Sequence, residues 1–172
     1  MGLVLNDGPW AFEGSTLVCK QVEPGVLPGD ILLDSLDMWI QVHDLPFGYT
    51  TIPILEHVGN FLGQFVRMDD RFQDAPWRAF YRILVAIPVA KPLKRRMKLI
   101  KSDKSTCWVT FKYERLHTYY FCCCLLGYAY KYCLKARNLD MPVELYPYGD
   151  LRSAWGNRDP RPVGDPWIVP LG

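Results

Sequence analysis

The period of the apolar residues changes between Asp37 and Phe65, and that change constrains the fold more than any other feature of the chain. Met38, Ile40 and Val42 alternate with Trp39, Gln41 and His43 until Asp44-Leu45-Pro46 ends the run, the pattern of a strand with one buried face. Trp39 then belongs to the face opposite Ile40. Beyond the break, Ile52, Leu55, Val58, Leu62 and Phe65 recur at threes and fours, which predicts a helix with one apolar stripe reaching about Phe65. Thr50 or Thr51 can cap it, and Pro53 is tolerated in its first turn. Gly59 and Gly63 each weaken such a helix by about 1 kcal/mol relative to alanine, so their presence implies close packing on a sheet or a marginal element.

The remaining elements read as strands. Phe65 to Met68 is short and β-compatible, Asp69 to Pro76 is a polar loop, and Trp77 to Val89 is rich in aromatic and branched residues, as a central strand should be. Lys91 to Lys98 reads as a basic turn. Cys107 to Glu114 alternates again, with Trp108, Thr110 and Lys112 on one side and Val109, Phe111 and Tyr113 on the other. A strand, a helix and three further strands give an α+β class: a small antiparallel-leaning sheet with one main helix, an incomplete layer of the RNA-recognition-motif kind. We place this α+β domain at 31–116. Residues 1–30 read as the remnant of a preceding domain and a connector, 117–134 as a cysteine-rich segment, and 135–172 as an irregular proline-rich tail.

With 172 residues, 49% of them hydrophobic, the chain has apolar material for an ordinary core. Its formal charge of +2 is too small for a global electrostatic argument, so any polyanion must be met by a local cluster. The first residues lack a basic leader, and no apolar run approaches the roughly 20 residues that span a bilayer, so the expectation is an intracellular protein without a membrane partner. Of the six cysteines, Cys122, Cys123 and Cys124 are consecutive, which argues for reduced thiols rather than a disulfide framework. Catalysis finds no support: His43, His57 and His117 fall on different elements, no glycine-rich phosphate loop or nucleophile elbow accompanies them, and no small-molecule substrate is implied. The adjacent carboxylates Asp69 and Asp70 read as solvated.

The segment from Tyr120 to Cys133 has the outline of a zinc knuckle, in which two cysteines, a histidine and a third cysteine are spaced so that a tight turn presents four ligands to one ion. Here the four slots hold Tyr120, Cys123, Tyr128 and Cys133, so the spacing survives while two ligands do not. A phenol must lose a proton of pKa near 10 before it can ligate, and two thiolates seldom hold structural zinc. Cys123 and Cys133 are the surviving candidates. The competing reading is a cysteine- and tyrosine-rich segment packed as core.

Gly8-Pro9-Trp10-Ala11-Phe12, Leu17-Val18-Cys19-Lys20, Glu23-Pro24-Gly25 and Trp39-Ile40-Gln41-Val42-His43-Asp44-Leu45-Pro46 resemble a family of plant proteins related to non-LTR retrotransposons. Gly59-Asn60-Phe61-Leu62-Gly63, Lys91-Pro92-Leu93-Lys94-Arg95-Arg96 and Phe111-Lys112-Tyr113-Glu114-Arg115-Leu116 continue in that family's order. Its members join a domain of unknown function to a CX2CX4HX4C knuckle, so the resemblance implies nucleic-acid binding with zinc. This chain departs from it by starting near the end of the first domain, by Tyr120 and Tyr128 at ligand slots, and by His117 where proline is common. Zinc is therefore implied by the resemblance but opposed by the donor set.

Lys91, Lys94, Arg95, Arg96 and Lys98 form the cationic candidate for phosphate contacts, with Trp39, Trp77, Trp108, Tyr119 and Phe121 as rings on which bases could stack. A solvated turn is the plainer reading of the same cluster, and import into the nucleus another. The function expected is binding of single-stranded RNA or DNA with little sequence preference. A co-opted protein-interaction module or a non-functional relic is the alternative.

Overall fold

The computed structural model describes residues 8–13, 15–72, 79–117, 123–126 and 138. Two short strands, β1 (Trp10–Phe12) and β2 (Ser15–Leu17), form an antiparallel hairpin. The main body follows: β3 (Ser35–His43), the helix α1 (Ile52–Leu62), β4 (Gln64–Met68), β5 (Phe80–Pro88), β6 (Arg96–Ile100) and β7 (Thr106–Tyr113). The five long-range strands make one antiparallel sheet in the order β4-β5-β3-β7-β6. β5 lies between β3 and β4, so the helix links two parallel strands across an inserted antiparallel one. The α+β class and the antiparallel sheet with one main helix are as the sequence implied.

One face of the sheet carries the core. Met38, Ile40 and Val42 of β3 meet Ile83 and Val85 of β5 and Val109, Phe111 and Tyr113 of β7, with Leu55, Val58 and Leu62 of α1 closing the layer. The alternation read for β3 holds in its parity: these residues point to the helix, and Trp39, Gln41 and His43 to the other side. Thr51 occupies the N-cap position, and its carbonyl accepts from the backbone N–H of Ile54 and Leu55, although its hydroxyl makes no capping bond.

Three sequence expectations need correction. The helix stops at Leu62 rather than near Phe65, because Gly63 lies so close to β5 that a Cβ there would run into the Ala86 carbonyl oxygen. A Cβ at Gly59 would come within 2.6 Å of the Phe65 ring, so both glycines serve close packing on the sheet. The basic turn expected over Lys91 to Lys98 is a turn only in its first half; Arg96 to Ile100 forms the edge strand β6, whose alternation of Arg96, Met97, Lys98 and Leu99 was hidden by the density of charge. The strand read over Trp77 to Val89 is interior, paired with β4 and β3 on its two sides, but it runs over Phe80–Pro88, and Trp77 lies outside the described residues.

A bulge in β4 has a larger consequence. Phe65 pairs with Val85 and Arg67 with Leu84, leaving Val66 as the extra residue. Without it, Phe65 and Arg67 would share a face. With it, Phe65 packs toward the core and Arg67 crosses to the open face, where its guanidinium carbon lies 4.8 Å from the centre of the Trp39 ring.

Candidate nucleic-acid interface

The face of the sheet away from α1 is ordered into cross-strand rows by the register. Phe80, His43, Thr110 and Arg96 stand opposite one another across β5, β3, β7 and β6. The next row holds Arg82, Gln41 and Lys112, and on the other side Lys98 faces Trp108. Aromatic and cationic groups therefore alternate over neighbouring positions of one surface.

Trp108 is 49% exposed, and the Arg96 guanidinium lies over its ring at 4.2 Å from the centroid. Both charges of β6 on this face, Arg96 and Lys98, are exposed. His43 and Phe80 form a second ring pair, with centroids 5.2 Å apart and planes inclined by 36°. Burial holds the His43 imidazole below its ordinary pKa, Asp44 opposes that, and Lys112 adds to it.

Beside these groups lies a buried ionic network. Arg82 donates to Asp69 at 2.6 Å and to Glu114 at 2.8 Å, and Arg71 donates to the same Asp69 carboxylate at 2.7 Å. Gln41 donates its amide N–H to Glu114 at 3.0 Å, which leaves its oxygen to accept from His43 Nε2 at 3.1 Å. His43 therefore carries its proton on Nε2 in the neutral form. The hydrogen bond from Arg71 holds the Asp69 carboxyl well below the usual carboxylate range, against the opposing effect of its burial and with help from Arg82. The expectation of a solvated Asp69 is thus corrected: the polar loop delivers it to Arg82 on β5.

The same network corrects the reading of Trp39. Its ring is only 5% exposed and is covered by Arg82 as well as Arg67, so its face is not offered to a base. The five expected cations also divide. Arg96 and Lys98 lie on the open face, whereas Lys91 and Lys94 line a cleft beside the C-terminus of α1. Arg95 lies between them, its carbonyl bonded to the Phe111 N–H. Lys112, Thr110, His43 and Phe80 were missed as members of the surface. Of these, Thr110 and Lys112 share the side of Trp108 in the alternation of β7, which was signal enough.

The cysteine-rich segment enters the described residues at Cys123 to Leu126. Cys124 is fully buried in the core cluster, and its carbonyl accepts the Leu93 N–H at 2.8 Å. Burial pushes its thiol pKa up to about 12 and thus keeps it protonated. Cys123 is half-buried beside it, and neither forms a disulfide. Tyr119, Tyr120, Phe121, Cys122, Tyr128 and Cys133 lie outside the described residues. No three His, Cys, Asp or Glu side chains converge as metal ligands among the described residues. Two thiols and two phenols at the four slots do not fit a tetrahedral zinc centre.

Residues 87–135 match the zinc-knuckle family model. The match runs from the end of β5 through β6 and β7 into the cysteine-rich segment, and it covers less than a third of the chain. It supports the knuckle reached from cysteine spacing and, through the general role of such modules, nucleic acid as the partner class. No curated protein and no solved structure matches the chain. No helix among the described residues is long and apolar enough to cross a membrane.

Proposed function

We propose that this chain is a non-enzymatic, intracellular, retroelement-derived protein that binds single-stranded RNA or DNA with low sequence specificity on the open face of its sheet. The observation that carries this reading is the pairing of exposed charge with an exposed ring: Arg96 stacks on Trp108, and Lys98 faces it from β6. A strand laid there places phosphates against Arg96, Lys98 and Lys112 and bases against the Trp108 and Arg96 planes. RNA-recognition-motif layers use a sheet face for their bases, which supports the choice of this face. The zinc-knuckle match supports the partner class, and the plant retroelement resemblance supports the origin.

Binding on this face does not pass through a metal. Titration of a fluorescent oligouridylate against the full chain tests the reading: affinity should fall steeply as salt rises, and Trp108→Ala should weaken it. The second reading, a protein-interaction module or a relic, is favoured by Tyr120 and Tyr128 at ligand slots and by the exposure of Leu27, Leu32 and Phe47. An absence of oligouridylate binding at low salt would leave that reading in its place.

A further inference from the structure

Lys20 meets Lys91 and Lys94, which are distant from it in sequence, at one cleft of about 490 Å³, walled by the end of α1, the start of β4, the start of β3 and the end of β5. Three ammonium groups face a single carboxylate, Asp34, so the lining carries a net of two positive charges. Lys20 spends part of its charge on Asp34 at 3.8 Å and donates to the Leu32 carbonyl at 3.1 Å. Lys94 donates to the Phe61 carbonyl at the end of the helix, and its ammonium lies 3.9 Å from the centre of the Phe61 ring. The helix terminus, which would otherwise repel an anion, is thereby covered by a cation. Lys91 is exposed at the rim.

The cleft is held in shape by the core. Tyr113 is fully buried and donates its hydroxyl to the Lys94 carbonyl at 2.7 Å, and Leu93 is fixed by its bond to Cys124. Burial and, after it, the neighbouring Lys91 lower the Lys94 pKa. The volume lies in the range of small-ligand sites and exceeds what a bare anion fills.

We propose that this cleft binds a phosphate monoester, with the ammonium groups of Lys91 and Lys94 on the phosphate and the Phe61, Pro92 and Leu93 walls against the group it esterifies. A monoester carries nearly two negative charges at neutral pH and so matches the net charge of the lining. A free nucleotide and the 5′-phosphate end of a polynucleotide share this chemistry. Lys94 of the cleft and Arg96 of the open face are separated by Arg95 alone, with Lys94 against Phe61 on the helix side of the sheet and Arg96 on the other side.

The test is nuclear magnetic resonance titration of the isotope-labelled full chain with inorganic phosphate, adenosine 5′-monophosphate, adenosine, and a short oligonucleotide with either a 5′-phosphate or a 5′-hydroxyl. Saturable shifts at Gly63, Gln64, Leu93 and Lys94 are expected with every phosphomonoester and with inorganic phosphate, and not with adenosine. A preference for the 5′-phosphorylated over the 5′-hydroxyl oligonucleotide identifies the polynucleotide end as an accepted source. Lys91→Ala, at an exposed side chain, should weaken adenosine 5′-monophosphate by about tenfold. Trp108→Ala should leave it unchanged, which separates this site from the open face. Absence of saturable shifts with both phosphate and the monophosphate, equal shifts with adenosine, or binding unaltered by Lys91→Ala and Lys20→Ala together would overturn the proposal.

Discussion

Arg82 lies over the indole of Trp39, with its guanidinium carbon 3.8 Å from the ring centroid, and the same guanidinium bridges the buried carboxylates Asp69 and Glu114. One cation thus seals a ring that strand alternation assigns to the open face and ties together β5, the loop after β4 and the end of β7. Removing one member leaves a charge without its partner in a desolvated site. Glu114→Ala should cost roughly 3–5 kcal/mol, read from urea denaturation. Replacing the three charges together, by Asp69→Asn, Arg82→Met and Glu114→Gln, should cost less than Glu114→Ala alone, because no buried charge is then stranded and Arg71, which loses Asp69, is exposed.

The depressed pKa of Asp69 sets a pH dependence. The folded carboxyl titrates below its unfolded value, so the stability it contributes is fully present above about pH 4 and is lost as pH falls from there toward the folded pKa. Thermal midpoints measured between pH 2 and 7 should therefore drop on acidification in the natural chain. Asp69→Asn should lower the midpoint at pH 7 and flatten the acid limb.

How much of this was legible in the sequence depends on the element. The parity of β3 and the existence of α1 followed from periodicity, because each buries one continuous apolar face. The crossing of Arg67 to the open face did not, since one extra residue in β4 reverses the parity of everything after it. The strand β6 was masked by its own charge: cations on the exposed side of an edge strand look like a solvated turn. Lys91 and Lys94 were visible as a linear cluster, but their meeting with Lys20 left no linear signal, because the fold makes that proximity. The knuckle spacing was legible and is matched by the family model; the burial of Cys124 was not, because it depends on docking against Leu93.

Gly59 within α1 and Gly63 at its C-cap should respond unequally to alanine. At Gly63 the obstacle is the Ala86 carbonyl, a backbone group that cannot move without disturbing β5, and a loss of about 1–3 kcal/mol is expected. At Gly59 the obstacles are the Phe65 ring at 2.6 Å, which can rotate, and the Phe65 Cβ at 2.9 Å, which needs only a small shift of β4, while the better helix propensity of alanine offsets about 1 kcal/mol. Gly59→Ala should therefore be the milder change in a denaturation series.

Metal analysis of the purified full chain should find no stoichiometric zinc, and chelation should leave its thermal midpoint unchanged. Restoring the ligands with Tyr120→Cys and Tyr128→His should bring uptake of one zinc per chain. Zinc at one equivalent in the natural chain would show that the phenols or neighbouring thiols complete the site.

The most direct test of the open-face account is the affinity of oligouridylate for the full chain and for Trp108→Ala, measured by fluorescence anisotropy at low and moderate salt with chelator present. The account predicts binding that persists with chelator, falls as salt rises, and weakens in Trp108→Ala by an amount corresponding to about 1–3 kcal/mol. Affinity that is indifferent to both salt and the loss of the Trp108 ring would contradict it.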